Sequence, residues 1–229
     1  MSAGTPASYA ALAGTRDRDA RARRPGGLAR TAVDDVAHLY EIHAAAYDRA
    51  RDRSGMEAAY LRQLVDGLPP GPATVLDLGC GAGAPIAAWL MAAGCQVTGV
   101  DAAPAMLALA RARLPAATWI EHDMRSLALG ARFLAIVAWD SFFHLRRDAQ
   151  RAMFSVFRDH LVEGGLLLFT SGHTDGEAIG QVNGAPLYHA SLDPAAYARL
   201  LDQHGLDVVL YRAQDPACGD HTVWLARAR

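Results

Sequence analysis

Hydrophobic positions change along the chain from a helical period near the N-terminus to short continuous runs in the middle. Val36, Tyr40 and Tyr47 recur on one face of a helix, and a second helical stretch covers residues 56–68. From residue 74 onward, short apolar strands alternate with helices. The predicted strands are 74–78, 96–100, 118–121, 133–139, 166–170, 206–212 and 221–226.

Continuous apolar strands that are separated by helices indicate a parallel sheet covered on both faces. The last two strands depart from this pattern, because only residues 213–220 lie between them. A parallel return needs a longer crossover, so these two strands must pair antiparallel. We therefore predict an α/β fold with a doubly wound sheet of seven mostly parallel strands that ends in an antiparallel hairpin.

Composition divides the chain into a basic arm and one domain. Residues 1–30 hold six arginines and two aspartates but almost no large apolar side chains, so we predict that this arm is disordered. Residues 31–229 are predicted to form the domain, with N-terminal helices at 31–70 and a substrate lid at 171–192. The lid is predicted because Asn183-Gly184, a hairpin turn signal, lies between apolar residues.

Charge and cysteine usage exclude several classes of function. The net charge of −2 and the isoelectric point near 6.5 argue against a nucleic-acid partner. No apolar run is long enough to span a membrane. Cys80, Cys95 and Cys218 are too scattered for a disulfide framework or a zinc site, and no histidine spacing indicates a metal. We expect a cytoplasmic monomer or homodimer without a metal.

The strongest candidate for chemistry is the glycine-rich turn between the first predicted strand and the next helix. Gly79, Gly81 and Gly83 let the backbone turn tightly and approach a ligand, and the helix that follows presents free N–H groups. Asp101, at the end of the second strand, is placed to accept two hydrogen bonds from a ribose diol. The spacing of Gly79, Gly81 and Ala84 also fits the dinucleotide fingerprint, so a nicotinamide-dependent (NAD or NADP) oxidoreductase remains an alternative.

Three features favour a different ligand: Asp77 inside the strand, the terminal hairpin, and the lack of any arginine or lysine in the glycine loop. The stretch around these glycines resembles motif I of the class I S-adenosylmethionine (SAM)-dependent methyltransferases of the small-molecule type. Four further segments resemble later motifs of that family in the same order. The five segments are 75–84, 97–101, 121–125, 133–145 and 163–168.

The resemblance implies a Rossmann-like sheet, SAM as cofactor, and methyl transfer to a small-molecule acceptor by in-line displacement. It implies that Asp101 binds the ribose and Asp123 the adenine, although Asp123 alternatively caps a turn. Asp77 orients the ligand's ammonium or caps the loop amides. Tyr47 packs across SAM and Arg51 pairs with the SAM carboxylate, and for both the alternative is simple packing on the helix surface. The implied cofactor-binding residues are Asp77, Gly79, Cys80, Gly81, Gly83, Asp101, Ala102, Asp123, Met124, Trp139, Asp140, Tyr47 and Arg51.

The sequence indicates the residues that would bind the methyl acceptor less specifically than those that would bind SAM. His144, four residues past Asp140, is the candidate general base and also a substrate-binding residue. His173, Tyr188 and His189 lie in the predicted lid and are substrate-binding candidates. For each histidine a hydrogen-bonded structural role is the alternative, and for the whole chain a non-catalytic SAM-binding module is the alternative to an enzyme.

Overall fold

Two helices precede the central sheet in the computed structural model, which describes residues 36–229. The predicted arm at residues 1–30 lies outside the described residues. The helices, in chain order, are α1 (Val36–Ala50), α2 (Ala58–Asp66), α3 (Ile86–Ala92), α4 (Pro104–Arg113), α5 (Arg147–His160) and α6 (Pro194–Gln203). The strands are β1 (Thr74–Leu78), β2 (Gln96–Asp101), β3 (Thr118–Glu121), β4 (Phe133–Ala138), β5 (Leu161–Ser171), β6 (Gly176–Val182), β7 (Ala185–Ser191), β8 (Leu206–Asp215) and β9 (His221–Ala228).

Seven strands form the central sheet in the order β3-β2-β1-β4-β5-β9-β8. Strands β1 to β5 are parallel, and β9 lies antiparallel between β5 and β8. This confirms the predicted fold class. The order in which strands are added to the sheet reverses between β1 and β4, and the crevice at such a switch point is where doubly wound sheets bind ligands.

Apolar side chains fill both faces of the sheet. Val75 of β1 packs into one layer with Leu90, whereas Leu76 and Leu78 pack into the other layer with Phe154. This alternation follows from the period of two along a strand. The buried layers hold the strand ends in place, so the side chains at the carboxyl edge have fixed positions.

β5 begins earlier in the chain than predicted. Leu161 pairs with Phe133, and the register then shifts before Leu166 pairs with Ala135. Gly164 takes a left-handed conformation with φ of +74° within this irregular stretch. The predicted strand began at residue 166, which placed the glycine pair at 164–165 before the strand. In the structure the pair instead lies in a bulge inside β5.

A separate two-stranded sheet of β6 and β7 covers part of the carboxyl edge. Asn183 and Gly184 form its turn with φ of +49° and +81°, which confirms the hairpin that this dipeptide predicts. Asn183 Nδ2 lies 3.1 Å from Nδ1 of His43 on α1, so the hairpin tip contacts the first helix. Within residues 36–229, no helix is both long and apolar enough to cross a membrane.

Candidate functional site

In the glycine loop after β1, close neighbours leave no room for a side chain at two of the glycines, and open space borders the third. A Cβ at Gly79 would lie 2.3 Å from Cβ of Ser141, and one at Gly83 would lie 2.8 Å from the ring of Trp119. Both glycines also have positive φ, +73° and +75°. Gly81, with φ of +52°, has no atom within 4 Å of its added Cβ, so its backbone borders an open cavity.

Asp101 lies at the end of β2 and braces this loop. Its Oδ2 accepts a hydrogen bond from the Gly81 amide at 2.8 Å, and its Oδ1 accepts one from the Ala103 amide at 2.9 Å. Burial raises the pKa of Asp101, while these backbone N–H groups act in the opposite direction. Each carboxylate oxygen has a second lone pair, so Asp101 can brace the loop and still accept hydrogen bonds from a ligand.

A cavity of about 150 Å³, here called the central cavity, lies between this loop and α1. It brings together nine of the predicted site residues, which lie at or after the ends of β1, β2, β3 and β4 and on α1. These predicted residues are Tyr47, Gly79, Gly81, Asp101, Ala102, Asp123, Met124, Asp140 and His144.

Asp123 borders the central cavity but its carboxylate is already occupied. Arg125 donates to both oxygens from its side chain, at 2.6 to 3.0 Å, and the Arg125 amide donates to Oδ1 at 2.9 Å. These hydrogen bonds hold the pKa of Asp123 below its usual value. The turn-capping role is therefore present, and Asp123 remains at the cavity wall with its side chain 39% exposed.

A smaller cavity of about 40 Å³, here called the glycine-loop cavity, lies on the other side of Gly79 and Gly81. Asp77, Cys80 and Trp139, three of the predicted cofactor-binding residues, line it. Asp77 is 2% exposed, and its Oδ2 has no hydrogen-bond partner within residues 36–229. Burial, with a smaller contribution from the charge of Asp101, raises the pKa of Asp77 to about 7. Asp77 does not cap the loop amides.

The raised pKa of Asp77 predicts a pH-dependent effect of the Asp77→Asn substitution. A carboxyl whose folded pKa of about 7 exceeds its usual 3.8 costs stability as pH rises through this range. At pH 8 the variant should be more stable than the wild type by about 1–2 kcal/mol, since an amide has a smaller desolvation cost than a buried charge. At pH 4 this gain should vanish.

Urea unfolding at the two pH values measures both differences. Asp159→Asn, an exposed position on α5, is the matched control and should change stability at neither pH. An equal gain of Asp77→Asn at pH 4 and pH 8 would contradict ionisation as its cause.

Asp140 follows β4 and lies where the cavities meet. It takes a left-handed conformation with φ of +49°, and its amide donates to Oγ1 of Thr170 at 2.9 Å. Its Oδ1 lies 2.8 Å from Nε2 of His221 and its Oδ2 lies 3.2 Å from the guanidinium of Arg51. Burial alone would raise the pKa of Asp140, but the hydrogen bond from His221 and the charges of His221 and Arg51 lower it. Asp140 is thus a buried carboxylate that lies between two basic side chains, those of Arg51 and His221.

The partners of Asp140 belong to a longer buried charge network. Arg51 also lies 3.7 Å from Glu57, which is 1% exposed. His221 contacts the carbonyl oxygen of Cys218 at 2.5 Å through Nδ1. Despite burial, the hydrogen bond to Asp140 raises the pKa of His221. Glu57, Arg51, Asp140 and His221 thus alternate in charge along the network.

His144 is buried at the inner wall and both of its ring nitrogens are engaged. Nδ1 lies 2.9 Å from the carbonyl oxygen of Tyr188, so it carries the proton, and Nε2 accepts from the hydroxyl of Tyr40 at 3.1 Å. Burial, with a smaller contribution from His189, lowers the pKa of His144 to about 3. The geometry favours the structural alternative for His144, in which the neutral ring orients Tyr40.

The largest of the three cavities, about 490 Å³, lies between α1 and the β6–β7 hairpin and is here called the hairpin cavity. His189 lines it, whereas Tyr188 and His173 line none of the three cavities. Side chains alternate along β7, so Leu187 and His189 face the cavity and Tyr188 is buried behind them. His173 is exposed in the loop before β6, and substrate binding by Tyr188 and His173 stays a prediction.

His189 differs from His144 in its hydrogen bonds. Its Nδ1 lies 3.2 Å from the carbonyl oxygen of Leu187, which leaves the lone pair on Nε2. Burial lowers the pKa of His189, so the ring is neutral near pH 7. Within residues 36–229 Nε2 has no hydrogen-bond partner, and it is therefore available to a molecule in the hairpin cavity.

Three cavities converge on two side chains. Tyr47 and Asp140 line the central, glycine-loop and hairpin cavities, and Tyr40 and His144 separate the central cavity from the hairpin cavity. The rings of Tyr40 and Tyr47 meet edge to face at a centroid distance of 5.1 Å. The arrangement can therefore hold two molecules whose ends meet beside Asp140.

Comparison with known proteins gives a match to a methyltransferase domain and a shared fold. Residues 75–165 match a family model described as a methyltransferase domain. In sequence, the chain is 33% identical over 138 residues to dTDP-3-amino-3,4,6-trideoxy-alpha-D-glucopyranose N,N-dimethyltransferase of Streptomyces venezuelae, which covers 57% of each chain. It is 32% identical over 136 residues to dTDP-3-amino-3,6-dideoxy-alpha-D-glucopyranose N,N-dimethyltransferase of Streptomyces fradiae, which covers 58% of this chain and 52% of that one.

The chain thus spans little more than half the length of the curated relatives that it matches. A solved structure, the 1,6-didemethyltoxoflavin-N1-methyltransferase of Burkholderia thailandensis with bound 1,6-didemethyltoxoflavin and S-adenosylhomocysteine, is similar over 94% of this chain and 98% of that chain. The TM-score is 0.68 and the sequence identity is 21%, so this likeness shows a shared fold.

Proposed function

We propose that the chain is a class I SAM-dependent methyltransferase and that it transfers a methyl group from SAM to an amine nitrogen of a small molecule. The observation that carries this proposal is the convergence of the three cavities on Tyr47 and Asp140. The glycine-loop and central cavities adjoin through Gly79 and Gly81 and form one elongated cradle. The hairpin cavity meets the cradle beside Asp140, so a donor and an acceptor would approach each other there.

The residues of the cradle fit the chemical groups of SAM. Asp77 has an unpartnered carboxylate oxygen in the glycine-loop cavity, which suits an ammonium. Arg51 lines the same cavity and suits a carboxylate. Asp101 keeps free lone pairs for a ribose diol, and the open space at Gly81 leaves room for the ligand backbone. Asp123 and the Met124 backbone would border the adenine.

When bound, SAM supplies a methyl group on a sulfonium, which is already activated for displacement. The protein's contribution is therefore position and exclusion of water. Asp140 places a negative charge beside the sulfonium, where its field favours a cation. Tyr47 and Tyr40 form the wall between the two reactants, and His144 holds the Tyr40 hydroxyl in one orientation.

The acceptor nitrogen must be neutral to attack. His144, with its Nε2 occupied and its pKa near 3, is not the base in this proposal. His189 retains an accepting Nε2 in the hairpin cavity and would orient an N–H of the acceptor. An amine is proposed because the matched relatives act on amino sugars and a ring nitrogen, according to their names.

Two binding titrations and one turnover assay test the proposal. Calorimetry should show binding of SAM and S-adenosylhomocysteine but not of NAD or NADP, and incubation of SAM with a panel of small amines should release S-adenosylhomocysteine. Binding of NAD without binding of SAM would contradict the proposal and restore the oxidoreductase alternative. Binding of SAM without turnover on any amine would favour the non-catalytic module.

A tyrosine substitution tests the assignment of His144 and Tyr40. Tyr40→Phe removes the hydroxyl that His144 orients but keeps the ring between the cavities. We expect the KM for the acceptor to rise about tenfold, which corresponds to the loss of one neutral hydrogen bond, while kcat changes less. Tyr211→Phe, on the exposed side of β8, is the matched control. A kcat reduced a thousandfold at unchanged KM would show instead that the pair takes part in the chemical step.

A further inference from the structure

We propose that the hairpin cavity takes an amine acceptor that carries no phosphate, which separates this chain from the nucleotide-sugar substrates in the names of its curated relatives. The inference rests on the proposed function and names the acceptor class of the same site. It starts from the charges of the cavity wall. Among the described residues that line the hairpin cavity, Arg51 is the only arginine, and Asp52 and Asp140 are the acids.

The one guanidinium is not available to a phosphate. Arg51 lies 3.2 Å from Asp140 and 3.7 Å from Glu57, and both carboxylates are almost fully buried. A pyrophosphate that drew Arg51 away would leave Asp140 and Glu57 buried without their counter-charge. Breaking a buried ion pair costs more than a phosphate contact returns, so this exchange is unfavourable. Arg51 therefore stays with Asp140 and Glu57, and in the proposed function the SAM carboxylate in the glycine-loop cavity would take its remaining N–H groups.

Most of the remaining wall is apolar. It favours a hydrocarbon or deoxygenated ring, because a charged group placed there would lose its hydration without gaining a partner. Ile179 of β6 is 53% exposed, which is unusual for its size and places a large apolar side chain at this cavity. The apolar lining residues are Ala46, Ala50, Met56, Phe143, Ala178, Ile179, Val182 and Leu187.

Polar groups concentrate where the hairpin cavity meets the central cavity. Tyr40, His144 and Asp140 lie at this junction, and His189 lies beside His144 with a ring centroid distance of 4.7 Å. An acceptor with an apolar body and one amine end would bury the body against the hairpin and present the amine at the junction. The cavity, at about 490 Å³, has the size of sites for small metabolites.

A matched pair of probes tests this inference. The methyl glycoside of 3-amino-3,4,6-trideoxyglucose and the dTDP ester of the same sugar carry the same amine, and only the ester carries a pyrophosphate. Calorimetry on the full chain saturated with S-adenosylhomocysteine should show the glycoside binding at least tenfold more tightly than the ester. Benzylamine, an apolar amine, should also bind. Equal or tighter binding of the ester, or no binding of either the glycoside or benzylamine, would overturn the inference.

A substitution that supplies the missing charge gives a second test. Gln181→Arg adds a guanidinium to the hairpin at the cavity wall, and Val208→Arg adds one on the exposed face of β8 as the control. Gln181→Arg should strengthen ester binding at least fivefold relative to glycoside binding, whereas Val208→Arg should leave this ratio unchanged. If both variants strengthen ester binding equally, the charge of the cavity wall is not the discriminating feature. The SAM titration tests the proposed function separately. A lack of SAM binding would contradict the proposed function, whereas the titrations with the glycoside and the ester test only the acceptor class.

Discussion

Asp140→Ala should abolish methyl transfer and lower the free energy of unfolding by about 3–5 kcal/mol. The substitution leaves Arg51 and His221 without the carboxylate that lies 3.2 Å and 2.8 Å from them. Alanine must also adopt the left-handed backbone that Asp140 shows, with φ of +49°, which adds strain. Urea unfolding measures the loss of stability, and release of S-adenosylhomocysteine measures turnover.

The Asp140→Asn substitution removes the negative charge of the side chain but keeps its shape. Asparagine tolerates the left-handed region and keeps one oxygen to accept from His221, so the backbone should be retained. We expect a smaller loss of stability than for alanine and a loss of turnover that stays large, because the negative charge is absent beside the sulfonium. Full turnover in Asp140→Asn would contradict the electrostatic role, and a folded, equally stable Asp140→Ala would contradict the network.

Asp101→Ala should weaken SAM binding by about 1.5–3 kcal/mol, or roughly 10- to 150-fold in Kd. The carboxylate is expected to accept from the ribose diol, and it also holds the amides of Gly81 and Ala103. Removal therefore affects both the ligand contact and the shape of the loop. Calorimetric titration of SAM measures the change.

The two contributions of Asp101 can be separated with Asp101→Asn. Its single oxygen can accept from one loop amide but not from both, so SAM binding should be weakened less than by alanine. Asp159→Ala, exposed on α5, should leave SAM binding unchanged. An unchanged Kd in Asp101→Ala would show that the ribose lies elsewhere.

The sequence predicted the part of the site that depends on strand ends. Asp77, Gly79 and Asp101 follow directly from where β1 and β2 stop, and a parallel sheet places such positions at one edge. Their local chemistry is encoded in neighbouring residues, as the contact between Asp101 and Gly81 shows. For these positions a short sequence window contains the needed information.

The remaining parts depend on contacts between distant segments. His221 was not predicted because the sequence indicated the pairing of the last two strands but not the position of β9 beside β5. That position brings the first residue of β9 to the edge where Asp140 follows β4. Tyr188 and His189 differ only in which face of β7 they occupy, and the sequence pattern did not settle that register. Tyr40 was predicted as a helix face residue, and only the fold reveals its bond to His144.

The insertion of β9 between β5 and β8 has a consequence for biosynthesis. Strands β1 to β5 and their helices are made first, and they can pair while the chain is still emerging from the ribosome. Asp140 would then lack His221, and β5 would have an unpaired edge until β9 is made. The site around Asp140 is therefore completed only after β9 is made, and the same strand closes the edge of the growing sheet.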